Sequence, residues 1–139
     1  MMRSMVFLMC SLAALQSAVA ATASEVTGLW RSADGQAIIE FKACPDAPSA
    51  ICGTLVWETT ADKADTSCGV HIAKLKSFDG EAWRDGWVYD PRNNKYYKGV
   101  VRTNEKGLLI RAYIGTEMLG ETEQLTREAS LPTAPVCKK

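Results

Sequence analysis

From about residue 25 onward, apolar and polar side chains alternate in short runs, cut apart by clusters of Gly, Pro, Asn and Asp. In the run 36–43, Ala37, Ile39 and Phe41 share one face while Ile38, Glu40 and Lys42 share the other. In 95–102, Tyr97, Gly99 and Val101 alternate with Tyr96, Lys98, Val100 and Arg102. A period of two belongs to a half-buried strand, and no stretch of about 11 residues carries a helical stripe. The pattern predicts eight strands, at 27–32, 36–43, 52–58, 70–76, 83–89, 95–102, 108–114 and 118–127. Turn chemistry separates them: Asp34-Gly35, Asp79-Gly80, Asp90-Pro91-Arg92-Asn93-Asn94, Asn104 to Gly107, and Gly115-Thr116-Glu117. The stretch 59–69 is polar and loop-like, with room for a short helical turn, and 128–139 is a tail with two prolines.

Eight short strands joined by tight connections must close on themselves or leave sticky edges. The expectation is therefore all-β: a single eight-stranded, mostly antiparallel up-and-down barrel. At that size the interior is either just filled by side chains or holds one small ligand.

Ahead of the strands, Arg3 precedes the apolar run 5–15, and Ala18-Val19-Ala20 supplies small residues in an A-x-A arrangement. That is the layout of a secretory signal peptide, so residues 1–20 are expected to be cleaved, leaving 21–139 as one domain in a periplasmic or secreted location. Ser4, Ser11, Gln16 and Ser17 interrupt the run, which is too short and too broken for a membrane anchor. Phe7-Leu8-Met9 ahead of Cys10 is too bulky for a lipid-attachment site. Removing Arg3 leaves 15 basic against 16 acidic side chains. That balance argues against nucleic acid and provides no polybasic run for anionic lipid.

Cys10 leaves with the leader, so four cysteines remain, and an even count in an exported chain reads as two disulfides. Three pairings exist. Cys44–Cys52 is favoured because the two flank the short segment PDAPSAI between apparent strands, and Cys68–Cys137 would then clasp the tail to the middle of the chain. Loop-closure entropy assigns about 2.6 kcal/mol to the first bridge and about 4.4 kcal/mol to the second. A metal site lacks any C-x₂₋₄-C pair and has one histidine to draw on.

Candidate chemistry is thin. His71 is the sole histidine, with no nucleophile beside it in sequence, and reads as a surface group. Asp79, Glu81, Asp85 and Asp90 gather around Trp83 and Trp87, and a carboxylate pair of the right separation could hydrolyse glycosides, yet acids beside Gly and Pro are ordinary turn residues. Glu40 interrupts an apolar run. On the outer face it is solvated, whereas inside it would need Lys98, Arg102 or Arg111 as partner. Trp57, Trp83, Trp87, Tyr89, Tyr97 and Tyr113, with Tyr96, could line a ligand cavity or pack as core and cross-strand girdle. No phosphate loop, H-E-x-x-H, G-x-S-x-G or C-x-x-C is present.

Gly28-Leu29-Trp30 on the first strand with Arg127 at the end of the last resembles the lipocalin and wider calycin barrels, in which the Trp closes the barrel base and the Arg covers its ring. With TGLWRSADGQAIIEF at 27–41, CGTLVW at 52–57, GWVYDPRNNKYYKG at 86–99 and RAYIGTEMLGETEQLTR at 111–127, the chain resembles the bacterial exported family catalogued as domain of unknown function 2147. The resemblance implies a lipocalin-like barrel and a structural role for Gly28, Trp30 and Arg127. It implies no activity, catalytic residue or cofactor. The segment 61–68 is shorter than the corresponding family loop, so no loop function is carried over.

The expectation for function is an exported, non-enzymatic protein without cofactor or metal. It is not an integral membrane protein, and it would bind a small apolar or amphipathic molecule in a barrel cavity. The alternative is a packed barrel that meets an envelope partner through its surface.

Overall fold

The computed structural model describes residues 20–61, 67–135 and 137. Residues 1–19 of the expected leader and 62–66 of the loop 59–69 lie outside those residues. Eight strands follow one another: β1 Gly28–Arg31, β2 Ala37–Cys44, β3 Ala47–Glu58, β4 His71–Phe78, β5 Trp83–Asp90, β6 Lys95–Asn104, β7 Gly107–Tyr113 and β8 Glu121–Glu128. Each pairs antiparallel with its neighbour in sequence, and β8 returns to pair with β1, closing the barrel. The expected all-β up-and-down barrel is the fold.

Four of the hairpins share one local device. An Asp or Asn side chain at the turn accepts the backbone N–H two residues on: Asp34 from Gln36, Asp79 from Glu81, Asp90 from Arg92 and Asn104 from Lys106. Such turns organise the corner before any strand has packed. Asp79 also accepts from Ala82, and these two backbone bonds with the Arg84 guanidinium hold its carboxyl down at about 2.

Two strand boundaries differ from expectation. β3 begins at Ala47 rather than 52, so PDAPSAI is mostly strand. The β2–β3 register jumps from Ala43↔Ile51 to Cys44↔Ala47, a bulge that accommodates Pro48, which has no N–H for the ladder. β8 begins at Glu121 rather than 118, because Glu117–Leu119 forms a 3₁₀ turn in which the Thr116 hydroxyl accepts the Met118 N–H. Both disulfides form as expected, Cys44–Cys52 with Cα atoms 5.0 Å apart and Cys68–Cys137 with 5.1 Å.

Alternation sorts the side chains. Trp30, Ile39, Phe41, Leu55, Val88, Val101, Leu108, Ile110 and Leu125 belong to one buried cluster inside the barrel. On the outer wall Ile38 faces Arg31 and Trp57, and both Ile38 and Trp57 are buried there. The tail leaves β8 at the end of the barrel where β1 begins, and Cys137 is bonded to Cys68 at the opposite end.

The end at which β1 starts is closed. A 3₁₀ turn, Ala23–Val26, which has no alternation to announce it, plugs the base with Val26 buried. Its free carbonyls are taken by three core-lining donors. Trp30 Nε1 donates to Val26 at 2.8 Å, Trp83 Nε1 to Ala23 at 2.9 Å, and Arg127 Nη2 to Glu25 at 2.7 Å. The Arg127 guanidinium also lies 4.0 Å from the Trp30 ring centroid and donates to Thr27. Gly28 makes this approach workable: its φ is +123°, and a Cβ there would stand 2.8 Å from Arg127 Nη1.

Trp30→Ala should therefore cost about 3–5 kcal/mol, from the cavity it leaves and the orphaned Val26 carbonyl. A denaturant midpoint equal to that of the parent protein would contradict the plug. Asp79 gives a pH signature. Its folded carboxyl sits below the ordinary 3.8, at about 2, so the stabilisation it supplies is complete above pH 4 and is lost as pH falls through 2. Urea midpoints of the parent and of Asp79→Asn should differ at pH 6 and converge at pH 2.

Candidate functional site

The four connections at the other end, β1–β2, β3–β4, β5–β6 and β7–β8, surround an opening into a cavity of about 940 Å³. Its floor and walls are aliphatic. Ile39, Leu55, Ile72, Val88, Ile110 and Ala112 line it from five different strands. Below that layer Phe41, Leu75, Leu108 and Leu125 are fully buried. The interior is thus packed at the base and open above, and no polar or charged residue is buried among the described residues.

Charge appears at the rim. Because Arg127 and Leu125 face inward on β8, alternation turns Glu123 and Glu121 inward too, and both line the opening with Asp34, Asp90 and Arg92. Arg92 bonds Asp90 through its side chain at 2.9 Å and approaches Glu123 at 3.8 Å. Burial pushes the Asp90 carboxyl up, but the two hydrogen bonds from Arg92 and its charge bring it below the ordinary value. The Asp90 hydrogen bond raises Arg92 in turn. Asp34 is lowered by the Ser32 hydroxyl and the Gln36 N–H. Both shifts of Asp34 and Asp90 run downward, opposite to the raised pKa that a general acid needs at neutral pH.

The six aromatics divide. Tyr97 faces inward, paired with Val88, and its hydroxyl accepts from Asn93 at 2.9 Å. Tyr89 and Tyr113 also line the opening. The other three do not. Trp83 is part of the base, held to Ala23. Trp57 is buried on the outer wall with the Arg31 guanidinium 5.0 Å from its ring centroid, Arg31 being ion-paired to Glu128. The Trp57 indole N–H finds no acceptor among the described residues. Trp87 also lies outside, edge-on to Tyr96 with centroids 5.2 Å apart. The reason is parity: Lys74 and Trp87 face each other on the side opposite to Ala73 and Val88.

The remaining candidates do not converge. His71 is exposed at the start of β4, its Nδ1 3.3 Å from the Thr54 hydroxyl, and is not among the cavity residues. Asp79 precedes β5 and Asp90 ends it, so the strand holds the two apart. Asp85 is bonded by Ser77, and of the four acids Asp90 alone reaches the opening. Glu40 is on the outer face, paired with Lys42 at 2.8 Å, so the inward alternative with Lys98, Arg102 or Arg111 is not what forms. Cys44, Asp46 and Cys52 bring three ligand atoms within 4.8 Å, but both sulfurs form the disulfide and Asp46 is paired with Lys74.

Sequence reasoning missed the aliphatic layer, since single Ile, Leu and Ala residues on separate strands carry no motif. It also missed Glu121 and Glu123, whose inward direction was implicit in the same alternation that placed Arg127.

The class these features define is a closed, antiparallel, eight-stranded barrel with one sealed end and one open, ligand-sized cavity. Residues 28–127 match a protein family described as "Uncharacterized protein conserved in bacteria (DUF2147)", and the chain belongs to that family. The match begins at Gly28 and ends at Arg127, whose guanidinium occupies the space a Cβ on Gly28 would need. No curated protein and no solved structure matches the chain.

Trp30, Trp57 and Trp83 are all below a tenth exposed, so Trp87 is the accessible indole. Iodide should quench a minor, red-shifted part of the emission, and Trp87→Phe should remove that part. Unchanged iodide quenching in the variant would place Trp87 elsewhere.

Proposed function

We propose that the protein is an exported, non-enzymatic binding protein that holds one small apolar or amphipathic molecule in the open half of its barrel. The observation that carries this reading is the unfilled volume of about 940 Å³ above a packed base. Pockets for small molecules have volumes of about 300–1,000 Å³, an apolar lining and a few convergent polar groups. The aliphatic layer suits a hydrocarbon body, and the carboxylates with Arg92 and Tyr97 suit a polar end left at the rim.

Export and a periplasmic or secreted site are supported by the leader layout and by two disulfides, which persist in oxidising compartments. Among the described residues no helix is long and apolar enough to cross a membrane. A non-enzymatic role is supported by the scatter of His71 and the acids, none of which forms a pair poised for proton transfer.

Ala112 faces inward opposite Gly99 and lines the cavity, so Ala112→Trp should place an indole in the empty space while the barrel stays folded. A neutral naphthylamine dye should bind the parent protein, and the variant should weaken it by more than about tenfold because the dye's volume is already occupied. A folded variant that takes up dye as the parent does would rule out the cavity as the binding site.

A further inference from the structure

Ile114, Met118 and Leu119 stand at the tip of the β7–β8 hairpin and are 76%, 86% and 81% exposed. The hairpin is built to keep them there. Arg111 donates to the carbonyls of Glu117 and Met118 and to the Thr122 hydroxyl. Arg84 pairs with the Glu117 carboxylate at 2.6 Å, and the Thr116 hydroxyl takes the Met118 N–H. Two arginines and a cap thus hold three apolar side chains in water, an arrangement that costs free energy until something covers them.

The wall beneath the tip is equally ordered. On the outer face of β6–β7, Lys98 lies opposite Tyr113, which sets Tyr96 level with the start of the hairpin. Tyr96 is 66% exposed and packs against Trp87 and Tyr89, at 5.2 and 4.7 Å between centroids. Further from the tip, the outward residues of the two strands are Lys98, Val100 and Arg102 on β6 with Leu109 and Arg111 on β7, and none is a carboxylate. Lys98 and Arg102 are exposed and make no ion pair among the described residues. The outer face of β6–β7 thus carries cations without carboxylates, Glu121 and Glu123 of the neighbouring β8 alternate into the rim, and Glu117 at the tip is neutralised by Arg84.

Aliphatic tip, then aromatic rings, then cations is the order met on entering a bilayer in reverse: hydrocarbon, interface, phosphate. Trp and Tyr favour the interfacial layer, and Lys and Arg the headgroups of anionic lipids. We propose that this flank docks on the surface of a bilayer carrying anionic headgroups, with the β7–β8 tip inserted at the interface. Ile114 and Leu119 also border the cavity, so the docked barrel would have its opening beside the membrane, with the rim acids turned inward away from the lipid charge. A second copy of the chain is a poorer occupant, since a two-fold contact through this strip would bring the Lys98 and Arg102 charges of both copies into one interface. The docking needs no occupant in the cavity and stands apart from the binding function proposed above.

The test is co-sedimentation of the purified protein with vesicles of phosphatidylglycerol and phosphatidylethanolamine, and with vesicles of phosphatidylcholine alone. The parent should bind the anionic vesicles at low salt, with a blue shift of Trp87 emission. The triple variant Ile114→Ser, Met118→Ser, Leu119→Ser should lose binding, and all three sites are exposed enough to leave folding intact by circular dichroism. Lys98→Gln and Arg102→Gln should each weaken anionic-vesicle binding by roughly fivefold and leave phosphatidylcholine binding unchanged. The proposal is overturned by a parent that sediments with neither vesicle or by variants that bind as well as the parent. A parent dimer that the triple variant converts to monomer would overturn it too, because the tip would then be a self-contact.

Discussion

The Arg127 guanidinium stacked on Trp30 joins the last strand to the first, and every other property of the barrel presupposes that seam. It does three things with one side chain. It covers an indole face, fixes the 3₁₀ plug through the Glu25 and Thr27 carbonyls, and demands the glycine at position 28. An arginine can do this because its planar fork stacks and donates at once, which a lysine cannot. With the base sealed, the apolar layers above it need no further closure, and the upper half can remain unfilled without the sheet opening.

That division between a sealed base and an open mouth is written into residue size. At the base, Phe41, Leu75, Leu108, Leu125 and Trp83 converge, and the Phe41 ring lies where a Cβ on Gly53 would be, 2.8 Å away. Nearer the mouth, aliphatic Ile39, Leu55, Ile72, Val88 and Ile110 share the wall with the small Ala37 and Ala112, and space is left between them. The Phe41 and Trp83 rings at the base and the alanines at the mouth produce a cup rather than a rod.

Much of this was legible before any coordinates. Period-two alternation gave the strands and their faces, the Asp and Asn turns gave the corners, and Gly28, Trp30 and Arg127 marked the seam. Cysteine spacing identified both bridges. What alternation could not supply was any feature that departs from it. The plug at Ala23–Val26 has no period, the bulge at Pro48 breaks one, and the turn at Glu117–Leu119 looks apolar enough to be strand. Trp57 and Ile38 lie on the outer wall yet are buried, with Arg31 over the Trp57 ring, and strand periodicity says nothing about what lies over a sheet. Trp83 and Trp87 show the same limit from another side. Four residues apart, they differ in face because β5 shifts register between Trp83 and Gly86, where Asp85 takes a φ of +59°.

The seam also has a cost in time. The hydrogen bonds from Arg127 to Thr27 and Glu25 span 100 and 102 residues, almost the length of the folded domain. Strands formed early in synthesis must wait as an open sheet, with both edges unpaired, until the last strand is available. Contacts of such separation slow folding, and waiting edges invite pairing with other chains. The barrel is thus most vulnerable to aggregation in the interval before its last strand is made, and a chain truncated before Arg127 would never leave that interval.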